Sequence, residues 1–470
     1  MTDVDLVVAG AGGGLAGALR AAELGLDVLV VEADPQFTRG NNTSMSTAMV
    51  PGPGSRFQAA AGIEDSPERF LADVEAKTHG TADRTVARAL AHVGAELVEW
   101  LADHVGMPIE LPTDFSYPGH SAPRVHTVPG RHGSVLLRYL VDAVAAHDRI
   151  DLLAPCRLVD AVPGPDGTRI AVLARPDGVR EEVTARALLL ATNGFGADRN
   201  LVRTHLPEIA DAHYHGSEHS RGDALRIGAA QGAATGCLDA YQGHAALSAA
   251  AQTLLTWTAV MHGAAVVNRS GRRFGDETTG YSEFAATLAA QPGGRGWMIF
   301  DDRIDALCRS FTDYRDVVSA GAVRSGATVA ELATAIGVPS GALDEEIAAL
   351  AAVTRGMAAD RFGRSVEAEP TGPLHAVEIV PALFHTQGGL LVDGDARVLD
   401  AAGTPLPGLY ASGGAAVGIS GHGAAGYLAG NGLLPALGLA YLAAGHLART
   451  AAPVPATASL PSTTFSKRCP

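Results

Sequence analysis

The stretch Asp5-Leu-Val-Val-Ala-Gly-Ala-Gly-Gly-Gly14 decides the fold, because an apolar run passes directly into a cluster of glycines. An Ala- and Leu-rich segment follows to about Gly25, and a second apolar run, Asp27-Val-Leu-Val-Val-Glu32, ends in an acidic residue. Strand, glycine turn, helix and strand in this order form a βαβ unit of about 30 residues. The pattern predicts an α/β protein with a Rossmann-like, doubly wound sheet that binds a dinucleotide.

The glycine turn predicts where the dinucleotide lies, because the N–H groups of such a turn and the dipole of the following helix hold a pyrophosphate. We assign to the cofactor the turn and the end of the second strand, namely Gly10, Gly12, Gly13, Gly14, Glu32 and Ala33, with the acidic side chain at the ribose. The register stays open. If Gly14 is the third glycine of the motif, the first two positions fall on alanines; if Gly10 and Gly12 lead, the third falls on Leu15. A tight turn without a ligand is the alternative.

The composition bounds the class of protein. The 470 residues include 35 Lys and Arg against 50 Asp and Glu, a formal net charge of −15, and 47% are hydrophobic against 18% charged. This much apolar material predicts a large core and two or three domains, and it excludes a disordered or fibrous chain. The acidic balance argues against a nucleic-acid partner, since phosphate backbones bind basic patches.

Cysteine usage and the first residues indicate a reducing compartment. Cys156, Cys237, Cys308 and Cys469 are far apart, and no CxxC, CxxCH or zinc-like Cys/His spacing occurs. We therefore expect no metal site, iron–sulfur cluster or c-type haem. The start has no basic region or cleavable apolar segment, and the apolar stretch 433–447 is broken by Pro and Gly and too short to span a bilayer. We predict a cytoplasmic protein without a membrane span.

A change of pattern along the chain predicts two domains. From about residue 245 to 380 the glycine-rich strands give way to helical blocks at 328–336 and 340–354. We predict a nucleotide-binding domain formed by 1–244 and 381–449, with an inserted α+β cap or catalytic domain at 245–380. Residues 450–470 are rich in Pro, Ala, Ser and Thr and are predicted to form a flexible tail.

Six further segments carry a resemblance to a known family. They are Arg39-Gly-Asn-Asn-Thr-Ser44, Ala191-Thr-Asn-Gly-Phe-Gly196, Gly222-Asp-Ala224, Val267-Asn-Arg-Ser-Gly-Arg-Arg-Phe274, His385-Thr-Gln-Gly-Gly-Leu390 and Pro407-Gly-Leu-Tyr-Ala-Ser-Gly413. In this order they resemble the fumarate reductase/succinate dehydrogenase flavoprotein superfamily, from residue 5 to about 449. The resemblance implies FAD as the cofactor. It implies further FAD contacts at Gly40, Asn41, Asn42, Thr43, Ser44, Ala191, Thr192, Asn193, Gly194, Asp223, Gly388, Gly413, Gly414, Asn431, Gly432, Leu433 and Leu434.

Gly414 departs from the family's pattern, which usually has an acidic residue there in contact with the ribityl or adenosine side of FAD. Its absence weakens one contact and leaves the site in place. Asn431 is predicted to start the last helix, whose N-terminus can face the pyrimidine carbonyl of the flavin and stabilise negative charge in the reduced ring. An ordinary helix cap is the alternative for Asn431.

Two tyrosines stand where the resemblance implies catalytic arginines. Fumarate reductases of this superfamily hold a dicarboxylate with arginines, one of which also delivers the proton. Alignment on Arg273-Phe-Gly-Asp-Glu277 puts Tyr281 at the proton-donor position, and alignment on Ala429-Gly-Asn431 puts Tyr427 at the other. This substitution pattern resembles the 3-ketosteroid dehydrogenase branch of the superfamily, which is usually longer and lacks a histidine at position 385.

The resemblance to this branch implies a role for each candidate. Tyr281 takes the proton from the carbon next to a ketone, and Tyr427 binds the ketone oxygen with help from the N–H of Asn431, where the branch has a glycine. Tyr117 supports the base. His385 corresponds to a histidine that contacts the substrate carboxylate in fumarate reductases, and a hydrogen bond to flavin or backbone is its alternative. Packing is the alternative for the three tyrosines.

The chemistry is coherent from the residues alone. Desaturation of a ketone needs a hydride acceptor, the flavin N5, and a base for the acidic neighbouring proton. A free tyrosine has a pKa of about 10 and is a poor base at neutral pH. We therefore expect the Tyr427 hydroxyl to polarise the ketone and a neighbour of Tyr281 to lower its pKa. The nearby basic residues Arg124, His126 and Arg131 either hold a carboxylate tail or form a solvated loop.

The sequence thus predicts an FAD-dependent α,β-dehydrogenation of a small carbonyl compound, a cyclic ketone or ketosteroid-like substrate. Reduced flavin is expected to be reoxidised by an external electron acceptor, since the chain has no haem or iron–sulfur motif. The first alternative is the reverse reaction, reduction of an enoate or enone. The second is a flavin-binding protein without turnover. The sequence does not specify the oligomeric state.

Overall fold

The computed structural model describes residues 3–113, 117–365 and 368–450. The predicted flexible tail, 450–470, lies outside the described residues beyond Thr450. The strands are β1 (Val4–Ala9), β2 (Val28–Val31), β3 (Val50–Pro51), β4 (Val125–His126), β5 (Ile150–Leu153), β6 (Arg157–Pro163), β7 (Arg169–Ala174), β8 (Arg180–Leu190), β9 (His213–Tyr214), β10 (Thr235–Gly236), β11 (Tyr241–Ser248), β12 (Ala265–Val267), β13 (Gly296–Asp301), β14 (Val323–Gly326), β15 (Leu374–Thr386), β16 (Gly389–Leu390), β17 (Arg397–Leu399) and β18 (Pro405–Ala411). The α-helices are α1 (Gly14–Glu23), α2 (Phe37–Gly40), α3 (Arg56–Ala60), α4 (Pro67–Thr78), α5 (Arg84–Asp103), α6 (Gly133–Ala145), α7 (Arg199–His205), α8 (Asp223–Ala229), α9 (Thr258–Met261), α10 (Tyr281–Ala289), α11 (Asp302–Cys308), α12 (Thr312–Ser319), α13 (Val329–Ile336), α14 (Ser340–Thr354) and α15 (Leu433–Thr450).

The first sheet is the one that the glycine turn predicts. Its strands follow the order β17-β18-β8-β1-β2-β5, and β1 pairs in parallel with β2 and with β8. Strand β1 is buried from Leu6 to Ala9, as expected for a parallel strand whose two faces are both covered. Helices α1 and α15 pack closely, since a Cβ added to Gly17 would lie 2.9 Å from the carbonyl oxygen of Ala440. This packing fixes α1, and with it the glycine turn, at the carboxyl end of β1.

The second sheet lies in the predicted cap. Its main order is β11-β15-β13-β12, and β9 and β14 also pair with β15. Strand β15 is 13 residues long and carries His385 near its carboxyl end. Because β15 pairs with four other strands, the sheet holds that end of the strand in a fixed position.

The predicted domain boundaries fall inside two strands of this second sheet. Position 244/245 cuts β11, and position 380/381 cuts β15. The hydrophobic core around the sheet also includes Phe195, Val202 and Ile209, which precede residue 245. The second layer therefore draws on the chain from about residue 195 onward. The predicted boundary comes later than residue 195 because the amino-acid composition of the chain changes at the inserted helices and not at the first strand of the second sheet.

Helix starts follow the capping pattern of the sequence. Ser66 accepts a hydrogen bond from the N–H of Arg69 at the start of α4, with Pro67 in the first turn. Asp83 does the same for α5 by accepting from two backbone N–H groups. Such caps satisfy donors that have no partner within the helix. In the described part of the chain, no helix combines the length and the apolarity that crossing a bilayer requires.

Candidate functional site

A cavity of about 2070 Å³, including its open mouth, lies between the two sheets. One wall, the nucleotide wall, consists of the glycine turn and the residues that follow β2, β8 and β18. The other, the tyrosine wall, consists of residues of β11, α10 and the end of β15, with Tyr117 and Tyr427. Because its lining comes from both walls, a ligand that lies across this cavity would contact the glycine turn and the tyrosines alike.

The glycine turn leaves its backbone open to a ligand. Gly10 has a φ of 116°, a conformation that favours glycine, and a Cβ there would collide with the carbonyl oxygen of Ala191. A Cβ on Gly14 would lie 2.8 Å from Cγ1 of Val8, so Gly14 allows α1 to pack on β1. These positions resolve the register that the sequence left open. Gly10 and Gly12 form the turn, and Gly14 lets α1 pack on β1.

Glu32 ends β2 and is held by backbone donors. The N–H of Ala11 donates to its Oε2 at 2.7 Å, and the N–H of Asp34 donates to its Oε1 at 2.8 Å. Burial raises the pKa of Glu32, and these two hydrogen bonds oppose that shift. The residue lines the cavity. Each carboxylate oxygen can accept a second hydrogen bond, which fits a ribose hydroxyl.

Two buried hydroxyls fit a polar cofactor on the nucleotide wall. Thr192 and Ser412 follow β8 and β18 and line the cavity, and neither hydroxyl oxygen has a hydrogen-bond partner among the described residues. A buried hydroxyl without a partner costs about 1–3 kcal/mol. Backbone N–H groups, neutral hydroxyls and one carboxylate form the donor and acceptor set that a dinucleotide requires.

Most of the predicted FAD contacts line this cavity. These residues share positions in the glycine turn, after the strand ends or at the start of α15: Gly10, Gly12, Gly13, Gly14, Glu32, Ala33, Asn41, Asn42, Thr43, Ala191, Thr192, Asn193, Asp223, Gly413, Gly414, Gly432 and Leu433. Asp223 also binds Arg157 at 2.8 Å. The nucleotide wall is therefore the part of the site that the motifs locate best.

Six predicted contacts lie behind the cavity surface instead: Gly40, Ser44, Gly194, Gly388, Asn431 and Leu434. A Cβ on Gly40 would lie 2.7 Å from a carboxylate oxygen of Asp34, and one on Gly388 would collide with the carbonyl of Cys237. The cavity lining does not include these six, and their contact with FAD stays a prediction. A glycine-rich motif contains positions that permit close packing as well as positions that face a ligand, and the sequence does not separate them.

Asn193 occupies the space beside Gly414. A Cβ on Gly414 would lie 2.6 Å from Oδ1 of Asn193 and 2.7 Å from the nitrogen of Gly194. Asn193 has a φ of 63°, which asparagine tolerates better than most residues, and its Nδ2 donates to Ser220 Oγ at 2.8 Å. An acidic side chain at 414 and this amide cannot both fit. The glycine at 414, where the family usually has an acidic residue, therefore goes together with the asparagine at 193.

The structure brings Tyr281 and Tyr427 together on the tyrosine wall. Their ring centroids are 5.7 Å apart, at an interplanar angle of 63°, so the two rings are in edge-to-face contact. Tyr281 is the first residue of α10, whereas Tyr427 precedes α15. Tyr117 lines the same cavity and packs against Met49 and Ala429. The three predicted tyrosines thus border one space although they are far apart in sequence.

The N–H group predicted to help Tyr427 bind a ketone oxygen is already engaged. The N–H of Asn431 donates to the carbonyl of Leu428 at 3.0 Å, so that prediction is wrong. The backbone of Gly430 and Gly432, by contrast, lowers the pKa of Tyr427. In a tight turn, successive N–H groups point in different directions. The Asn431 side chain donates to Ser420 Oγ at 3.0 Å and thereby fixes the turn.

The electrostatics of the tyrosine pair differ from expectation. Burial raises the pKa of both phenols. The neighbours Tyr427 and Tyr117 raise the pKa of Tyr281 further, so the expectation that a neighbour lowers it is wrong. The hydrogen bonds at Tyr427 lower its pKa in part. Tyr427 is therefore the stronger hydrogen-bond donor, whereas the phenolate of Tyr281, once formed, is the stronger base.

Three histidines complete the tyrosine wall. Burial lowers the pKa of His385 to about 4, of His244 to about 3 and of His215 to about 4. His244 stacks on Tyr281 with 4.8 Å between centroids, and the ring of His385 lies 6.1 Å from that of Tyr427. These imidazoles are neutral at physiological pH and cannot neutralise a carboxylate. The sequence does not single out His244 and His215. Their one indication is a polar ring within or beside an apolar strand.

The basic loop does not form a carboxylate site. Arg124 is fully buried and bound by Asp65 at 2.8 Å and by Asp73. His126 is also buried, with its Nε2 2.7 Å from Ser55 Oγ. Both interpretations offered for these two residues, a carboxylate site and a solvated loop, are therefore wrong. Arg131 does line the cavity, with its guanidinium 5.5 Å from the ring centroid of Phe311.

A buried ion network positions the turn before Tyr281. Arg273 binds Glu277 at 2.8 Å, and Arg364 lies 3.1 Å from the same carboxylate. Glu277 begins the short 3-10 turn Glu277–Thr279 that leads into α10. The motif around Arg273 therefore acts through the backbone that presents Tyr281. Within the described ranges, no group of three His, Cys, Asp or Glu side chains is arranged to hold a metal ion.

Comparison with known families supports the nucleotide wall. A family model described as an FAD binding domain matches residues 5–433. The match includes the glycine turn, both sheets and Tyr427. It confirms the predicted FAD cofactor.

Two curated proteins illustrate the range of relatives. The chain is 28% identical over 424 residues to the NADH:fumarate oxidoreductase of Klebsiella pneumoniae, which covers 89% of this chain and 45% of that protein. The chain thus spans less than half the length of that relative. It is 26% identical over 543 residues to the 4-oxocyclohexanecarboxylate 2-dehydrogenase of Sinomonas cyclohexanicum, with 95% of this chain and 93% of that protein covered.

Two solved structures share the fold. A flavocytochrome c3 fumarate reductase in an open conformation matches with a TM-score of 0.78 and 26% identity over 95% of this chain and 78% of its own. The 3-ketosteroid delta1-dehydrogenase of Sterolibacterium denitrificans matches with a TM-score of 0.74 and 22% identity over 95% and 100%. These matches confirm the Rossmann-like FAD fold and the predicted resemblance to this flavoprotein superfamily.

Proposed function

The chain belongs to the FAD binding domain family, and from that premise we propose that it is an FAD-dependent enzyme that introduces a C=C bond next to a carbonyl group. The proposed substrate is a small cyclic ketone or a ketosteroid-like compound. An external acceptor, either a small molecule or a second protein, takes the electrons.

The tyrosine pair carries this proposal. Tyr281 and Tyr427 lie in edge-to-face contact on the cavity wall, with 5.7 Å between their ring centroids, where fumarate reductases would place arginines. The cationic side chains that line the cavity are Arg131 and Arg157, and Asp223 binds the second of these. A dicarboxylate requires fixed positive charge near each end, whereas a ketone requires one donor for its oxygen and one base. The tyrosine wall supplies the donor and the base that a ketone requires.

Each tyrosine has a distinct role in the proposed reaction. The Tyr427 hydroxyl donates to the ketone oxygen, where negative charge grows as the neighbouring proton leaves. The backbone of Gly430 and Gly432 lowers the pKa of this phenol, which makes it a better donor. Tyr281 accepts the proton. FAD, held by the glycine turn and the nucleotide wall, supplies the hydride acceptor when bound.

His385 favours a second candidate, the reduction of an enoate or enone. Its ring lines the cavity beside Tyr427, with Gln387 Nε2 3.4 Å from its nitrogens. In this position a neutral imidazole can donate a hydrogen bond to the oxygen of an acceptor. The Klebsiella relative, which is named for fumarate, supports this direction.

Anaerobic flavin reduction decides between the two directions. Purified protein loaded with FAD is mixed with cyclohexanone, 4-oxocyclohexanecarboxylate and a 3-ketosteroid, and the protein with chemically reduced flavin is mixed with fumarate and cyclohexenone. We expect the saturated ketones to bleach the flavin. Oxidation of reduced flavin by fumarate, without bleaching by any ketone, would contradict the proposal and support the second candidate. A colourless protein that cannot be loaded with FAD would exclude both.

A further inference from the structure

A second cavity, of about 280 Å³ with its opening, lies on the other side of the tyrosine pair. Tyr281 and Tyr427 border both cavities, so the pair separates the substrate space from this smaller cavity. Lys77 and Glu283 also line the smaller cavity, and their side chains are 18% and 42% exposed. The smaller cavity therefore reaches from the tyrosines to the protein surface. Most of this volume is the opening itself, and the space that water can occupy holds about one water.

Lys77 and Glu283 form an ion pair at this surface. The Nζ of Lys77 lies 3.6 Å from Oε2 of Glu283 and donates to the carbonyl of Thr279 at 3.0 Å. Lys77 belongs to α4, whereas Glu283 lies two residues after Tyr281 in α10. The lysine thus holds both the carboxylate and the start of α10 against the first domain.

The groups around Tyr281 cannot accept its proton. Tyr427 and Tyr117 are phenols that make ionisation of Tyr281 harder. His244 stacks on its ring, and burial lowers the pKa of this imidazole to about 3. A base that accepts a substrate proton on every turnover must also release one. Glu283 is the carboxylate that lines the smaller cavity.

We propose that the smaller cavity is a proton path between Tyr281 and solvent, with Glu283 as its outer proton acceptor. The proposal rests on the proposed function, because it requires Tyr281 to exchange a proton with substrate. The Tyr281 O–H bond breaks and its proton passes through water to the Glu283 carboxylate. The phenolate oxygen then takes the proton released by the substrate C–H bond. In sum, one proton moves from carbon to solvent; during reduction of a double bond it moves the opposite way. Lys77 positions the carboxylate.

Glu283→Gln tests the path, because it keeps the shape of the side chain and removes the acceptor. Glu75→Gln is the matched control, since Glu75 is an exposed carboxylate on α4 that pairs with Arg84 at 2.7 Å. We expect Glu283→Gln to slow anaerobic flavin reduction by ketones about 10-fold, less than the loss of a direct base. FAD content and melting temperature should match wild type. The pH dependence of the rate should change, and formate or acetate should restore part of the rate, which a merely structural defect would not allow.

Two outcomes would overturn the path. One is a Glu283→Gln rate and pH profile equal to those of wild type. The other is a slow variant that small acids do not rescue. The same variants are measured for oxidation of reduced flavin by enones, because the path serves both directions. If only enones react, and if Glu283→Gln slows that reaction while small acids restore it, the proposed direction of the reaction fails and the proton path stands. If wild type reacts in neither direction, both proposals fail.

Discussion

The nucleotide wall and the tyrosine wall of the large cavity are built in different ways. The nucleotide wall is mainly backbone, and at Gly10 and Gly14 an added Cβ would meet another main chain or strand at close range. The tyrosine wall is mainly side chains, and its tyrosines come from three separate parts of the sequence. A side chain added to the backbone of the nucleotide wall should block the cofactor, whereas the loss of a single functional atom from the tyrosine wall should stop catalysis. Cofactor binding and catalysis should therefore separate under mutation.

The largest effect is expected from Gly10→Val on the nucleotide wall. A side chain there collides with the carbonyl of Ala191, and the φ of 116° disfavours valine. We expect complete loss of bound FAD, measured by the flavin absorbance of the purified protein. Gly25→Ala is the control, because Gly25 has a φ of 89° but no atom within 4 Å of an added Cβ. If Gly10→Val retained FAD, the glycine turn would not be the phosphate site.

Tyr281→Phe is expected to have the next largest effect, and on the other wall. It keeps the stacked ring and removes the base, so flavin reduction should slow at least about 100-fold. FAD content should not change, because Tyr281 lies on the wall opposite the glycine turn. Rapid-reaction spectroscopy measures both quantities, with Tyr139→Phe on α6 as the matched tyrosine control. A near-wild-type rate of flavin reduction would show that another group on the tyrosine wall is the base.

Tyr427→Phe should cost about 2–4 kcal/mol of transition-state stabilisation, as loss of an oxyanion donor does. The hydrogen bond strengthens as charge grows on the ketone oxygen, so kcat should fall more than KM rises. Steady-state kinetics with a cyclic ketone gives this ratio. An increase in KM with unchanged kcat would instead indicate that Tyr427 binds the ground state alone.

The last prediction concerns the effect of pH on folding stability through the histidines whose pKa is lowered. The pKa is lowered by burial to about 4 for His120, His126, His215 and His385, and to about 3 for His244. In the unfolded chain these pKa values return to about 6.5. Between these limits the unfolded state binds more protons, so stability is complete above about pH 6.5 and falls as pH decreases toward 4.

Each of these histidines contributes up to about 1.4 kcal/mol per pH unit in that window. His244→Gln should reduce proton uptake on unfolding at pH 5 by about one, because one fewer group titrates. Melting temperatures between pH 7 and pH 4.5 measure the slope. A melting temperature independent of pH over this range would show that the histidines are not buried as described.

The sequence predicts the nucleotide wall better than the tyrosine wall for a physical reason. The glycine turn and Glu32 lie within one βαβ unit, so local spacing fixes their geometry. The contact of Tyr281 with Tyr427 depends on how two sheets pack, and alignment with a family supplied the residues but not their hydrogen bonds. The direction of the N–H of Asn431, and the pKa of Tyr281, follow from burial and turn geometry that no motif encodes.

The contact between the rings of Tyr281 and Tyr427 joins the first turn of α10 to the chain before α15, and the hydrogen bond from Lys77 to the carbonyl of Thr279 joins α4 to the turn before α10. A displacement of α10 away from these elements would break both contacts at once. In the proposed reaction, the donor for the ketone oxygen and the acceptor for the proton would then be too far apart to act together, and the inner end of the smaller cavity would open to bulk water. The proposed proton transfer therefore requires α10 to stay in place. A substrate large enough to displace α10 would bind without reacting, so these two contacts would set an upper limit on the size of the substrate.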